Sequence, residues 1–270
     1  MNFGIYRPSA ELRPFVKYYW TLDSHMDSQG DCQSVLPTGC IQIIINSGKN
    51  FHSKNSDGDK TLSNSYICGQ HLDSYELLPT GDIKLFAVVF RPHGARLFFS
   101  QPIDEFFSES LPLEFLDKQL IRDLEEKYHR TTNPQDFIPE IENYLTKKLY
   151  GKDLYDFRRI GQCIDQLSIG GGRTKLPALA EAACLSPRQL QRKFREYIGA
   201  SPKVFMRIVR FQTAMHLHNT YNYRDMTRLA LDSGYYDQSH FIREFRTIAG
   251  ISPAKFFREH SPGSDFFAEY

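Results

Sequence analysis

Two stretches of the chain, SPRQLQRKFREYIGASPKVF at residues 186–205 and QSHFIREFRTIAGISPAKFF at residues 238–257, align without a gap when Pro187 is set on Gln238. Leu190 falls on Phe241, Arg192 on Arg243, Phe194 on Phe245, Arg195 on Arg246, Gly199 on Gly250, and Ser201-Pro202 on Ser252-Pro253, all at an offset of 51. Upstream, Ala180-x-x-x-Cys184 meets Ala230-x-x-x-Gly234 at an offset of 50, so the second copy carries one extra residue in its turn. Self-similarity of this kind marks one supersecondary unit used twice.

Each copy has the grammar of a helix–turn–helix. In the first, Leu176, Leu179, Ala180 and Ala183 recur at the spacing of a buried helical stripe, and Cys184-Leu185 is the turn. Ser186-Pro187 then supplies an N-cap followed by proline at the first helical position, and Gln189 completes a capping-box pattern. Leu190, Phe194 and Ile198 face inward, which turns Arg188, Gln191, Arg192 and Arg195 outward. In the second copy, Met226, Leu229, Ala230 and Ser233 form the first helix, Gly234-Tyr235-Tyr236 the turn, and Asp237 the next cap. There Phe241, Phe245 and Ile248 face inward, while Gln238, Ser239, Ile242 and Arg243 face out. Between the copies, Ser201-Pro202 caps a long helix running to about His218, which would fix the spacing of the two units.

The charge of the chain is unevenly spread. Its formal net charge is +1, yet residues 173–260 hold 15 Lys/Arg against 7 Asp/Glu, a net of +8, and residues 1–152 have a net of −4. Only the C-terminal part is built to meet a polyanion. Arg donates bidentately to guanine, Gln pairs with adenine, and an apolar side chain contacts the thymine methyl. One exposed Arg/Gln helix face is ordinarily just a solvated face. Two such faces at fixed spacing within a basic segment point to duplex DNA.

At these residues the chain resembles the AraC/XylS family of transcriptional regulators, over residues 155–260 and most closely from Ala230 to Phe257. The resemblance implies two helix–turn–helix units on a connecting helix, entering successive major-groove segments. It implies base reading by Arg188, Gln191 and Arg192 in the first unit and by Gln238, Ser239, Ile242 and Arg243 in the second, with Arg195, Lys203 and Arg246 on phosphates. Cys184 departs from the pattern, because many members have Gly at that turn. The resemblance also implies double-stranded DNA as partner, RNA polymerase where the protein activates, a homodimer, and an N-terminal cupin-like domain binding a small effector. No effector-binding residue is assigned.

The expected fold is therefore α+β in two domains. The N-terminal one is a β-rich cupin-like barrel with trailing helices; the C-terminal one is all-α, with two helix–turn–helix units joined by a long helix. The expected boundaries are 1–152, 153–260, and a tail at 261–270. Ile41–Ile45 and residues 84–92 read as strands, by β-branching and turn residues, and 48–65 as an exposed hairpin or loop. Leu113, Leu116, Leu120, Ile121 and Leu124, then Ile138, Ile141, Leu145 and Leu149, mark two amphipathic helices. These helices either cover the sheet or form a dimer interface. Gly170–Gly172 reads as a turn or linker, and Phe15, Tyr18, Tyr19 and Trp20 as core or lid packing with a ligand pocket as the alternative.

Other chemistry finds no anchor. Five Cys without a CxxC pair argue against both a disulfide framework and a zinc knuckle, and suit a reducing cytoplasm. No apolar window reaches the length of a membrane span, and the N-terminus lacks the pattern of a secretory signal. His216 and His218 form the sole His-x-His; on a helix they diverge, so they are not a ligand pair. No catalytic residue, metal ligand or cofactor is assigned. Two other readings remain: a cupin-like metal-dependent enzyme carrying a DNA-targeting module, and a ligand-free N-terminal interaction module.

Overall fold

The computed structural model describes residues 2–25, 32–55 and 58–259. The side chains of Leu116 and Leu120 and the expected tail at 261–270 lie outside the described residues. The first half is built of strands β1 (Asn2–Tyr6), β2 (Val16–Ser24), β3 (Gln33–Val35), β4 (Gln42–Asn46), β5 (Phe51–Asn55), β6 (Gly58–Thr61), β7 (Ser65–Cys68), β8 (Tyr75–Pro79), β9 (Ile83–Phe90) and β10 (Ser110–Pro112). They form two antiparallel sheets, one ordered β1-β2-β9-β4-β7-β10 and one ordered β3-β8-β5-β6. Strands β4 and β9 pair centrally, with Ile43 opposite Val88, and their apolar runs are buried on both faces. The polar stretch expected to be exposed is the β5–β6 hairpin, with β6 fully exposed.

Strand alternation sorts the N-terminal aromatic cluster onto two faces. Tyr19 stacks on Phe86 in one buried cluster, while Trp20 turns into a second cluster between the sheets. Helices α1 (Glu114–Arg130) and α2 (Ile138–Leu149) follow. Their Ile121, Leu124, Tyr128, Ile141 and Leu145 are buried in the same cluster as Tyr19 and Phe86, so both helices cover the first sheet.

The remaining helices are α3 (Tyr155–Ile169), α4 (Leu176–Ala182), α5 (Pro187–Ile198), α6 (Pro202–Tyr221), α7 (Met226–Asp232), α8 (Gln238–Ala249) and α9 (Pro253–Glu259). The connecting helix α6 is a little longer than expected. It ends where Asn222 turns left-handed at φ 47° and its N–H bonds the His218 carbonyl.

Two features add to the expected two-domain fold. First, the core is continuous: Phe157 of α3 lies 5.0 Å from Phe15 and 4.3 Å from His93, and Phe194 of α5 belongs to the same buried cluster. Second, Gly170–Gly172 is a packed turn, which corrects the linker alternative. A Cβ on Gly172 would lie 2.8 Å from the Met206 carbonyl, and one on Gly234 would lie 2.4 Å from the Gly171 carbonyl. Arg173, at the end of this turn, donates to the carbonyls of Leu231 and Asp232. Gly172 and Gly234 leave no room for a side chain, because α6 and the two turns approach one another closely.

Candidate nucleic-acid interface

The two outward helices are built as their sequences dictate. At the start of α5, the Ser186 hydroxyl accepts from the Gln189 N–H at 3.3 Å and the Gln189 side chain accepts from the Ser186 N–H at 2.8 Å, closing the capping box. At the start of α8, the Asp237 carboxylate accepts from the His240 N–H at 2.7 Å. Leu190, Phe194 and Ile198 are buried on one helix, and Phe241, Phe245 and Ile248 on the other. Both helices end on a left-handed glycine, Gly199 at φ 81° and Gly250 at φ 75°.

All ten DNA-contact candidates are exposed. Arg188, Gln191, Arg192 and Arg195 line one open depression on α5, and Ser239, Ile242, Arg243 and Arg246 line another on α8. Gln238 is held by the Thr227 hydroxyl at 3.3 Å, and Lys203 stands apart at the start of α6. Ile242 is an exposed apolar side chain among polar ones, the setting a thymine-methyl contact requires.

The fate of the arginines separates surface from scaffold. Arg159 binds the carbonyls of Ala183 and Cys184, and so closes the end of α4 as Arg173 closes the end of α7. Arg207 and Arg210 both pair with Glu244. Burial pushes the Glu244 carboxyl up, but the Arg210 bonds, with His240 and Arg207 beside it, hold it below the usual range. By contrast, Arg188, Arg192, Arg195, Arg243 and Arg246 have no side-chain hydrogen-bond or ion-pair partner among the described residues. Five cations held on ordered helices without internal partners are poised for an external anion.

Sequence reasoning missed three parts of this surface. Asp104 and Arg96, from the β-rich half, line the same depression as Arg188 and Arg192. Tyr236, 86% exposed, projects from the turn before α8. Its exposure shows only once Tyr235 is seen to take the buried place beside Phe241. Thr227 of α7 fixes Gln238, a contact between two helices whose approach no local pattern gives. Among the described residues, no group of three His, Cys, Asp or Glu side chains could hold a metal ion, and no helix is long and apolar enough to cross a membrane. His218 is stacked on Phe257 at 3.8 Å while His216 is exposed, so the pair diverges as its spacing predicts.

Residues 179–259 match a family model described as a helix-turn-helix domain, and residues 5–112 one described as a domain of unknown function, DUF6597. The XylDLEGF operon transcriptional activator of Pseudomonas putida is 27% identical over 117 residues, 43% of this chain and 36% of that protein. An uncharacterized HTH-type transcriptional regulator of Haemophilus influenzae is 33% identical over 78 residues, 29% of this chain and 26% of that protein. The matches thus span about a third or less of these relatives. Among solved structures, ToxT from Vibrio cholerae is similar with a TM-score of 0.48 at 10% identity, over 88% of this chain and 97% of that one.

Proposed function

We propose that the protein is a sequence-specific transcriptional regulator of the AraC/XylS type that reads two major-groove segments, a reading supported by the match of residues 179–259 to a helix-turn-helix family model. The observation that carries this reading is the set of five arginines without internal partners, divided between the outward faces of α5 and α8. Arg188, Gln191 and Arg192 read bases from the first unit, and Gln238, Ser239, Ile242 and Arg243 from the second. Arg195, Lys203 and Arg246 hold phosphates. Helix α6 has 20 residues and so spans about 30 Å at ~1.5 Å per residue, close to one turn of B-DNA.

The division of labour follows the charge. Residues 1–152 act as the regulatory part, binding a small effector and supporting a homodimer, and residues 153–260 act on DNA in the cytoplasm. Effector control requires a ligand with different affinities for arrangements that differ in DNA competence. RNA polymerase is a partner where the operator position makes the protein an activator.

The test is selection of bound sequences from a randomised duplex library with the purified full chain. Two short enriched motifs about one helical turn apart are the expected result. If selection yields nothing at moderate salt with either the full chain or added effector candidates, base reading is refuted.

A further inference from the structure

Between the two sheets lies a cavity of about 110 Å³. Aromatic rings dominate its wall: Phe3, Trp20, Phe51, Tyr66 and Tyr75. Among the described residues, no Asp, Glu, Lys, Arg or His side chain lines it. The half-buried Ser24 and the exposed Gln33 also line it, and its buried polar groups are few. The Gln42 side-chain oxygen accepts from the Trp20 indole N–H at 3.2 Å, and the Cys68 thiol meets the Tyr75 hydroxyl at 3.2 Å. The Gln42 amide nitrogen and the Tyr66 hydroxyl have no partner among the described residues, although Gln42 is only 6% and Tyr66 only 4% exposed. Two polar atoms without partners, set into an otherwise apolar wall, offer a hydrogen-bond donor to a carbonyl or hydroxyl group. They offer nothing that neutralises a charge.

The wall continues directly into the DNA-binding half. Val35 lines the cavity, and the next residue, Leu36, is buried in the core of the second helix–turn–helix unit with Phe241 and Phe245. The Pro37 carbonyl accepts from the Gln212 side chain of α6, and Gly39 lies against Phe205. Tyr75 lines the cavity too, and the N–H of its neighbour Ser74 donates to the Ile248 carbonyl of α8 at 2.7 Å.

Building on the effector-controlled reading above, we propose that this cavity binds a small, uncharged, mainly apolar molecule of about single-ring size. We propose further that residues 35–39 and 74–75 pass its occupancy to α6 and α8. The volume sets one ring as the upper limit, since the cavity is somewhat smaller than the ~150 Å³ one that accommodates benzene. The absence of charge follows from the wall: a carboxylate or ammonium would be buried there without a counter-charge.

The protein carries its own reporter, because Trp20 is the single tryptophan of the chain and lines the cavity. Toluene and benzyl alcohol, titrated into the full chain, are expected to change Trp20 fluorescence saturably. Benzoate and benzylammonium are expected to bind on the order of 100-fold more weakly. Ile44→Phe fills the cavity and should abolish the response while leaving DNA binding intact; Leu22→Phe, on the half-buried side of the wall, serves where Ile44→Phe does not fold. A bound neutral probe should shift affinity for a selected operator by about fivefold or more, with the reciprocal shift in probe affinity. Gln212→Leu should keep the fluorescence response and lose that shift.

No saturable response, a response that survives both filling variants, or equal binding of benzoate each overturns the cavity assignment, even if operator binding is normal. A response without any change in operator affinity overturns the coupling. A response in a protein that binds no operator supports the cavity and defeats the DNA reading instead.

Discussion

The two helix–turn–helix units share their internal construction and differ in what holds them. Both bury three side chains at matching positions, Leu190, Phe194 and Tyr197 in the first and Phe241, Phe245 and Ile248 in the second, both cap the outward helix with a side chain, and both close the preceding helix with an arginine from outside the unit. Their attachments are opposite. Lys193 and Glu244 occupy equivalent positions of the repeat, and each is the hub of an ion-pair cluster of reversed sign. Lys193 joins Asp156 of α3 and Glu196, whereas Glu244 joins Arg207 and Arg210 of α6. The first unit shares its hydrophobic core with the β-rich half; the second has its own, entered from that half by Leu36 and Leu72. A repeat therefore preserves the recognition surface while leaving each copy free to be anchored differently. Here the first copy shares the core of the β-rich half, and the second keeps a core of its own.

The largest expected effect tests that asymmetry. Phe194 and Phe245 are both fully buried, and replacing either by alanine should cost ~3–5 kcal/mol. Phe245→Ala should open residues 226–259 to hydrogen exchange while the β-strands stay protected. Phe194→Ala should lower protection in β9 and α3 as well as in α5. Equal, unit-confined effects of both variants would show that the first unit is not part of the β-rich core.

The contact between α3 and the β-rich half also carries a pH dependence. Burial, reinforced by Arg91, pushes His93 down to about 4, and its ring lies against Phe157 and 2.9 Å from where a Cβ on Gly161 would be. Between the unfolded value near ~6.5 and about 4, the unfolded chain binds the extra proton. Stability on this account is present above that window and lost as pH falls through it, by up to ~3 kcal/mol. His93→Gln should remove this part of the slope in denaturation curves measured from pH 7 to pH 4. His71, also pushed down to about 4, should leave a residual slope of the same sign.

Much of the helical half was legible in the sequence because its signals are local. Ser186-Pro187-Gln189 announces a cap, the heptad-like spacing of Leu190, Phe194 and Ile198 names a buried face, and the 51-residue offset transfers both to the second copy. The strands at Ile41–Ile45 and 84–92 were visible for the same reason. What stayed hidden depends on distant approach. Gly170–Gly172 has the composition of a linker, and only the closeness of Met206 and Gly234 makes it a packing element. Tyr19 and Trp20 are adjacent aromatics in one cluster of sequence, yet the strand sends one into the core and the other into a cavity wall. Composition could not separate core packing from pocket because both occur, one residue apart.

Base reading is the next effect in size. Arg192→Ala and Arg243→Ala should each cost ~1–3 kcal/mol of operator affinity and relax sequence preference at one position, in the half-site read by that unit. Measured on selected operators and on scrambled duplexes, a uniform loss on all sequences, with a smaller salt slope, would instead make that arginine a phosphate contact. Because the repeat places the two at the same helical position, the two half-sites should lose preference at corresponding base steps.

The smallest expected effect concerns a turn position at which the two copies differ. Both turns need a left-handed residue, and the second copy supplies Gly234 at φ 91° where the first has Cys184 at φ 50°. A non-glycine residue in that conformation costs ~1–2 kcal/mol, and glycine returns part of this through its larger unfolded-state entropy. Cys184→Gly should therefore raise stability by about 0.5–1 kcal/mol, seen as a rise of a few degrees or less in Tm. The gain should appear without any change in operator preference, since Cys184 is engaged through its carbonyl, which Arg159 binds at 2.6 Å. The reverse change, Gly234→Ala, should cost more than Cys184→Gly gains, because its Cβ would lie 2.4 Å from the Gly171 carbonyl in addition to the backbone strain. If Cys184→Gly destabilises, the first turn is held by a contact of the cysteine side chain, and the two turns are not equivalent after all.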